Sequence, residues 1–164
     1  LRFASMNTIH AYTQDQRLQD APHKDLRRAR AAAQNIIPTS TGAGRAVELV
    51  LPSIKGKLMA SSYRVPVISG SLIELLYLPE RPTDIARVND LFAKAAARSL
   101  RGILEYSEKP LVSSDIIGNP HSAIFDSLLT ESKEAYIRIV AWYDNESGYA
   151  SRLADLCHKF ATIS

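Results

Sequence analysis

The sequence predicts an α+β domain: a mixed, mostly antiparallel sheet with helices packed on one face. Three observations carry this. Short apolar, strand-like segments recur along the chain without the regular strand–helix alternation of a parallel sheet. Two clear helical periods stand apart from them, one after Thr83 and one after Glu146. With 164 residues, 46% of them hydrophobic, the chain has material for one ordinary core, and residues 1–164 are expected to form a single domain.

The elements follow in order. Leu1 to Ile9 reads as a strand that brings His10 to its end. Ala11 to Asn35 holds no period, and loops of that length inside a compact domain are usually functional or held by a partner. Ile36 to Gly42 ends the excursion. A helix is expected from Ala43 to Leu51, with Ala43, Val47, Val50 and Leu51 at helical spacing, Thr41 at the N-cap and Pro52 as the stop. Lys57 to Tyr63 and Val65 to Leu78 read as strands, with Pro66 and Gly70 as irregularities. An amphipathic helix covers Asp84 to Ser99 behind an N-cap at Thr83; Ile85, Val88, Leu91, Phe92, Ala95 and Ala96 form its apolar face.

Leu104 to Tyr106 is a short strand, Val112 to Ile117 is extended, and Gly118-Asn119-Pro120 is a turn. Ser122 to Leu129 and Ala135 to Trp142 are further strands. A final helix runs to about Phe160, with Tyr149, Leu153, Leu156, Cys157 and Phe160 on one face, which assigns Cys157 to the core.

Composition narrows the chemistry. Charged residues make up 23% and the net charge is +3, as in ordinary soluble domains. No apolar stretch is long enough for a bilayer, and Leu1 to His10 does not read as a signal peptide. The single cysteine can form neither an internal disulfide nor a thiolate metal site, which suggests a reducing, cytoplasmic setting. His10, His23, His121 and His158 lack close ligand spacing, so no metal is expected. Neither a G-x-S-x-G elbow nor a GxxxxGK[ST] loop occurs.

Three features could do chemistry. His10, at a strand tip, suits a general base, although an ordinary surface histidine looks the same. Arg64 lies between apolar neighbours and must reach a carboxylate, a phosphate or solvent. Ser40-Thr41-Gly42-Ala43-Gly44 offers hydroxyls and a helix N-terminus to an anion, although capping alone would account for Thr41. The basic run from Lys24 to Arg30 has no interleaved aromatic residues, which argues against nucleic acid.

Taken in order, longer motifs carry a resemblance. Thr8-Ile9-His10-Ala11-Tyr12-Thr13-Gln14-Asp15-Gln16 resembles the strand-end histidine motif of glyceraldehyde-3-phosphate dehydrogenases. Pro22-His23-Lys24-Asp25-Leu26-Arg27-Arg28-Ala29-Arg30-Ala31-Ala32 resembles the bacterial form of that family's S-loop. Asn35 to Ala43 is similar to its phosphate loop. Gly56-Lys57-Leu58, Arg64-Val65-Pro66 and Lys109 to Asp115 resemble later signatures, and Trp142-Tyr143-Asp144-Asn145-Glu146 with Gly148-Tyr149 resembles the C-terminal one. Val67-Ile68-Ser69-Gly70 departs from the family's usual Thr-Pro-Asn-Val.

The resemblance implies an NAD-dependent phosphorylating dehydrogenase of glycolysis, in which His10 activates a cysteine thiol and serves as acid and base. It implies Thr13, Asp15 and Arg64 at the substrate phosphate, and Thr41, Gly42 and Arg28 at the attacking inorganic phosphate. Asn145 and Tyr149 would lie at the nicotinamide. Partners would be a phosphorylated aldehyde, inorganic phosphate, an N-terminal Rossmann domain and sister subunits of a tetramer, with no membrane. The family's cysteine motif and Gly-rich fingerprint would precede Leu1, so this chain alone is expected to be inactive and not to bind NAD. Two alternatives stand: a non-enzymatic binding or oligomerisation module, and a relative acting on erythrose 4-phosphate.

Overall fold

In a computed structural model, which describes residues 1–162, strands and helices follow in the order β1 (Phe3–Ala11), β2 (Ile37–Thr39), α1 (Ala43–Val50), β3 (Leu58–Val65), β4 (Ser71–Leu78), α2 (Ile85–Ala97), β5 (Leu104–Ser107), β6 (Ala123–Asp126), β7 (Glu131–Lys133), β8 (Tyr136–Tyr143) and α3 (Asn145–Ala161). All the strands join one sheet in the order β2-β3-β1-β4-β8-β6-β5, with β7 added on β8. Only β1·β3 and β5·β6 are parallel; the other pairings are antiparallel. The α+β class and the mostly antiparallel sheet are as the sequence predicts.

Register decides which side chains share a face. Met6 lies opposite Ala60 on β3 and Leu75 on β4, Leu75 opposite Ile139 on β8, and Ala141 opposite Phe125 on β6. On this face α1 reaches β3 through Gly44, where a Cβ would stand 3.1 Å from the Ala60 methyl. Val88, Phe92, Ala95 and Ala96 of α2 cover Phe125, Leu104 and Ile137. Phe125 is fully buried and stacks on Phe92 at a centroid distance of 4.0 Å. The opposite face holds a smaller cluster of Ile116, Ile124 and Trp142, with Leu72 and Leu111 against it. Buried Asp126 accepts the Trp142 indole N–H at 3.0 Å.

Several local readings change. β1 runs on through His10 to Ala11. The N-cap of α1 is Gly42, and Thr41 lies one residue earlier, its hydroxyl accepting the Ala43 N–H at 3.1 Å. Asp84, not Thr83, caps α2 by accepting the Arg87 N–H at 2.7 Å; an ionised carboxylate is the stronger acceptor there. The expected extended segment at Val112 to Ile117 contains a 3-10 turn, Ser113–Ile116, and the segment after Asp126 turns as 3-10 over Ser127–Leu129.

The largest departure is α3. Its apolar stripe is not core: Tyr149 is 72% exposed, Phe160 68%, and Leu153 and Leu156 49% each. Cys157 is exposed too, which overturns its assignment to the core. Periodicity identifies an apolar face, but not whether the surface that covers it belongs to the same domain.

Candidate functional site

The register that aligns the central strands also lines up their polar tips. His10 on β1 lies opposite Arg64 on β3, and Ser71 on β4 opposite Tyr143 on β8. Four adjacent strands thus end in Arg64, His10, Ser71 and Tyr143 on the helix-covered face. Burial pushes the Tyr143 phenol above its ordinary value, against the pull of Ser71 and Arg64. The Tyr143 ring stands edge-on to His10, with centroids 6.1 Å apart and planes at 75°.

His10 Nδ1 lies 2.6 Å from the Ala11 carbonyl and 2.5 Å from Arg64 Nη1. Arg64 Nη1 also donates to the Ala11 carbonyl at 3.0 Å. Nδ1 thus faces a carbonyl, which calls for an N–H there, and a guanidinium N–H, which calls for a lone pair, and no single tautomer satisfies both contacts. Burial pushes the imidazole below its ordinary value; the Ala11 bond opposes this and the Arg64 charge adds to it.

The unfolded chain therefore takes up a proton at His10 below about pH 6.5, while the folded chain resists it to lower pH. The unfolded state holds more protons in that window, so stability rises with pH across it and is lost as pH falls through about 6.5. Urea midpoints measured between pH 5 and 7 are expected to show this slope, and His10→Asn to flatten it.

The long loop after β1 folds back on itself. Gln16 is buried; its Oε1 accepts the Thr13 N–H at 2.7 Å and its N–H donates to the Thr13 carbonyl at 3.0 Å. Arg28 is the hub. It donates through Nη1 to Asp15, through Nε to the Thr39 hydroxyl at 2.7 Å, and through Nη2 to Ser40 at 3.4 Å. The Arg28–Asp15 ion pair joins the histidine-motif loop to the basic loop, and Ser40 joins both to the segment leading into Thr41 and Gly42. Tyr12, Thr13, Asp15, Gln16, Ile68 and Glu146 line a cleft of about 560 Å³ beside this network.

Arg64 is less well supplied. Among the described residues it forms no ion pair, and its buried Nε has no partner. Burial and the positive charge of Arg28 both make its protonated state less favourable, with only partial relief from Tyr143 and Asp15. A guanidinium so placed is a ready anion site.

At the other end of the row, Asp144 caps α3. Its Oδ1 accepts the Glu146 and Ser147 N–H groups at 2.9 and 2.8 Å, and its Oδ2 accepts the Gly118 N–H at 2.8 Å. Burial pushes this carboxyl up, but the backbone donors outweigh it and hold it below its ordinary value. The next residue, Asn145, keeps a buried Oδ1 with no donor among the described residues. Tyr149 lies one turn on and is open to solvent. Among the described residues no group of His, Cys, Asp or Glu could hold a metal ion, and no helix is long and apolar enough to cross a membrane.

Residues 1–145 match the family described as glyceraldehyde 3-phosphate dehydrogenase, C-terminal domain. The chain belongs to this family. Curated relatives named glyceraldehyde-3-phosphate dehydrogenase are similar along most of it. The protein of Mycobacterium avium is 56% identical over 151 residues, covering 92% of this chain and 44% of its own length. That of Kitasatospora aureofaciens is 57% identical over 150 residues, covering 92% and 45%. Streptomyces avermitilis has one, named glyceraldehyde-3-phosphate dehydrogenase 1, at 54% over 151 residues, with 92% and 45% covered. The chain thus spans less than half the length of these relatives. The α+β sheet described above is that of a glyceraldehyde 3-phosphate dehydrogenase C-terminal domain.

Within this domain the fold brings His10 and Arg64 together, and separately joins Asp15 to Arg28. Thr13 and Asp15 share a cleft with Glu146, whose charge also reaches His10. Thr41 and Gly42 connect to Arg28 through Ser40, while Tyr149 stands on the exposed face of α3. Sequence reasoning does not single out Gln16, Ser71 or Asp144, which the structure brings into the site. Asp144 was legible as a carboxylate just ahead of a helix. Gln16 and Ser71 act through bonds that only the register and the loop path create.

Proposed function

We propose that the chain is the catalytic-domain part of an NAD-dependent phosphorylating glyceraldehyde-3-phosphate dehydrogenase of glycolysis. It would work in the cytoplasm, with a Rossmann nucleotide-binding domain and sister subunits of a tetramer as its protein partners. The observation that carries the reading is Arg64: a guanidinium with a buried free donor, one register step from an imidazole and near a second arginine. That combination suits a ligand with phosphoryl charge next to a group that must lose a proton.

In this reading His10 uses Nε2 to take the proton of a cysteine thiol supplied by the rest of the enzyme, and later to move a proton on the aldehyde carbon's oxygen. Arg64 and Thr13 hold the aldehyde's phosphate. Asp15 serves that site by orienting Arg28 and by keeping like charges from crowding. Arg28, Thr41 and Gly42 receive the attacking inorganic phosphate, with the exposed Gly42 leaving room at the start of α1. The orphaned Asn145 Oδ1 fits the amide N–H of a nicotinamide carboxamide, and Tyr149 would pack beside it. When bound, NAD supplies the hydride acceptor.

The test is the enzyme in which this domain is joined to its nucleotide-binding half. NADH should form from glyceraldehyde 3-phosphate only when inorganic phosphate is present, and more slowly from erythrose 4-phosphate. Phosphate-independent NADH formation, or none from a folded tetramer, would overturn the reading.

A further inference from the structure

We propose that Gln16 is a positioning residue for Thr13: it holds the peptide groups on both sides of the threonine and so fixes where the hydroxyl can reach in the cleft. The inference rests on the proposed place of Thr13 at the aldehyde's phosphate. β1 ends at Ala11, and the backbone is fixed again just beyond it, where the Tyr12 N–H donates to the Val67 carbonyl at 3.2 Å. A tight turn from Thr13 to Gln16 follows. The Gln16 N–H donates to the Thr13 carbonyl at 3.0 Å, and the Gln16 side chain reaches back so that Oε1 accepts the Thr13 N–H at 2.7 Å. One residue thus satisfies both backbone groups of Thr13. With both peptide groups held, the direction of the threonine Cβ is set.

The third contact is of another kind. The Thr13 hydroxyl stands 3.4 Å from the same Oε1, a long bond that a ligand oxygen can displace. The backbone of Thr13 is held firmly and its hydroxyl loosely. That suits a donor that must turn to a phosphoryl oxygen while the loop stays still. The Thr13 N–H needs an oxygen, so Oε1 faces it and Nε2 is turned away. Gln16 is 5% exposed, and its Nε2 has no partner among the described residues. A buried donor left unpaired works against folding, so a methionine of similar length would serve packing as well. What methionine lacks is the oxygen for the Thr13 N–H. The far end of the turn has its own anchors: the Arg17 N–H donates to the Arg28 carbonyl at 3.2 Å, and Asp15 pairs with the Arg28 side chain. Losing the Gln16 oxygen therefore frees Thr13 without unravelling the loop.

The experiment uses the enzyme in which this domain is joined to its nucleotide-binding half. Hydrogen exchange, resolved at Thr13 by fragmentation mass spectrometry, should show a protected amide in the wild type and roughly tenfold faster exchange in Gln16→Met. The same variant should raise KM for glyceraldehyde 3-phosphate roughly three- to tenfold, the effect of losing about one hydrogen bond, with kcat much less affected and the melting temperature nearly unchanged. Thr13→Val should raise KM by itself, and adding Gln16→Met to it should cost little more, because the two act as a unit. An unprotected Thr13 amide in the wild type would overturn the proposal. So would a wild-type KM in Gln16→Met, or losses that simply add in the double variant. Should Gln16→Met fail to assemble, Gln16→Asn, one methylene too short to reach the Thr13 N–H, is judged by the same readings. Failure of the functional reading appears in the wild type, as absent turnover; failure of this proposal appears in the variants beside a working wild type.

Discussion

Replacing His10 by asparagine is expected to slow aldehyde oxidation by roughly 10²–10⁴-fold in the enzyme that contains this domain, the usual cost of losing a positioned general base. The loss should fall on kcat and on kcat/KM alike, because the proton moves in the chemical step and not in binding. Asparagine keeps a donor near the Ala11 carbonyl, so the sheet tip should hold its shape and the melting temperature at pH 8 should change little. Steady-state kinetics across pH provide the check. The rising limb that reports a neutral base should vanish in the variant. A variant that retains that limb would remove His10 from the chemistry.

Arg64→Ala carries the second large effect. Removing a partly buried guanidinium from a phosphoryl group should weaken binding by roughly 10²–10³-fold, as for a charge-assisted bidentate pair. Calorimetry with a phosphorylated aldehyde analogue and the 164-residue chain would read it directly. Arg64→Lys should recover only part of the loss, since an ammonium cannot reproduce the planar fork. The variant should be no less stable than the wild type without ligand, because burial and Arg28 both disfavour the charge it removes. Wild-type affinity in Arg64→Ala would place the anion elsewhere.

How far the sequence speaks depends on how local each feature is. The strands around His10, Arg64 and Trp142 are visible as apolar runs, and α2 declares itself through Val88, Phe92 and Ala95. β7 is invisible: Glu131, Ser132 and Lys133 are all exposed and become a strand only because β8 lies alongside. The caps fall one residue later than the sequence predicts: at Thr83-Asp84 a hydroxyl and a carboxylate in succession offer the backbone two choices, and at Thr41-Gly42 the capping residue carries no side chain to signal it. His10 and Arg64 were singled out from residue type and motif, but their adjacency is a property of parallel register. The Asp15–Arg28 pair, which closes a loop of unpredicted path, has no signature in spacing. The apolar stripe of α3 is visible in the sequence, but the placement of Cys157 in a core is not borne out, because amphipathicity does not name the surface that answers it.

The parallel pairing of β1 with β3 also governs how the molecule is made. These strands cannot zip until the chain between them has been looped out, so the contacts that set His10 beside Arg64 have high sequence separation and are expected to form late. The β7–β8 hairpin and α2 ask for no such closure and can be in place first. Refolding by stopped flow should accordingly fall in roughly the millisecond-to-second range of non-local topologies. If the proposed site binds phosphate, added phosphate should slow unfolding while leaving the refolding rate nearly untouched, the expected outcome for groups that come together late.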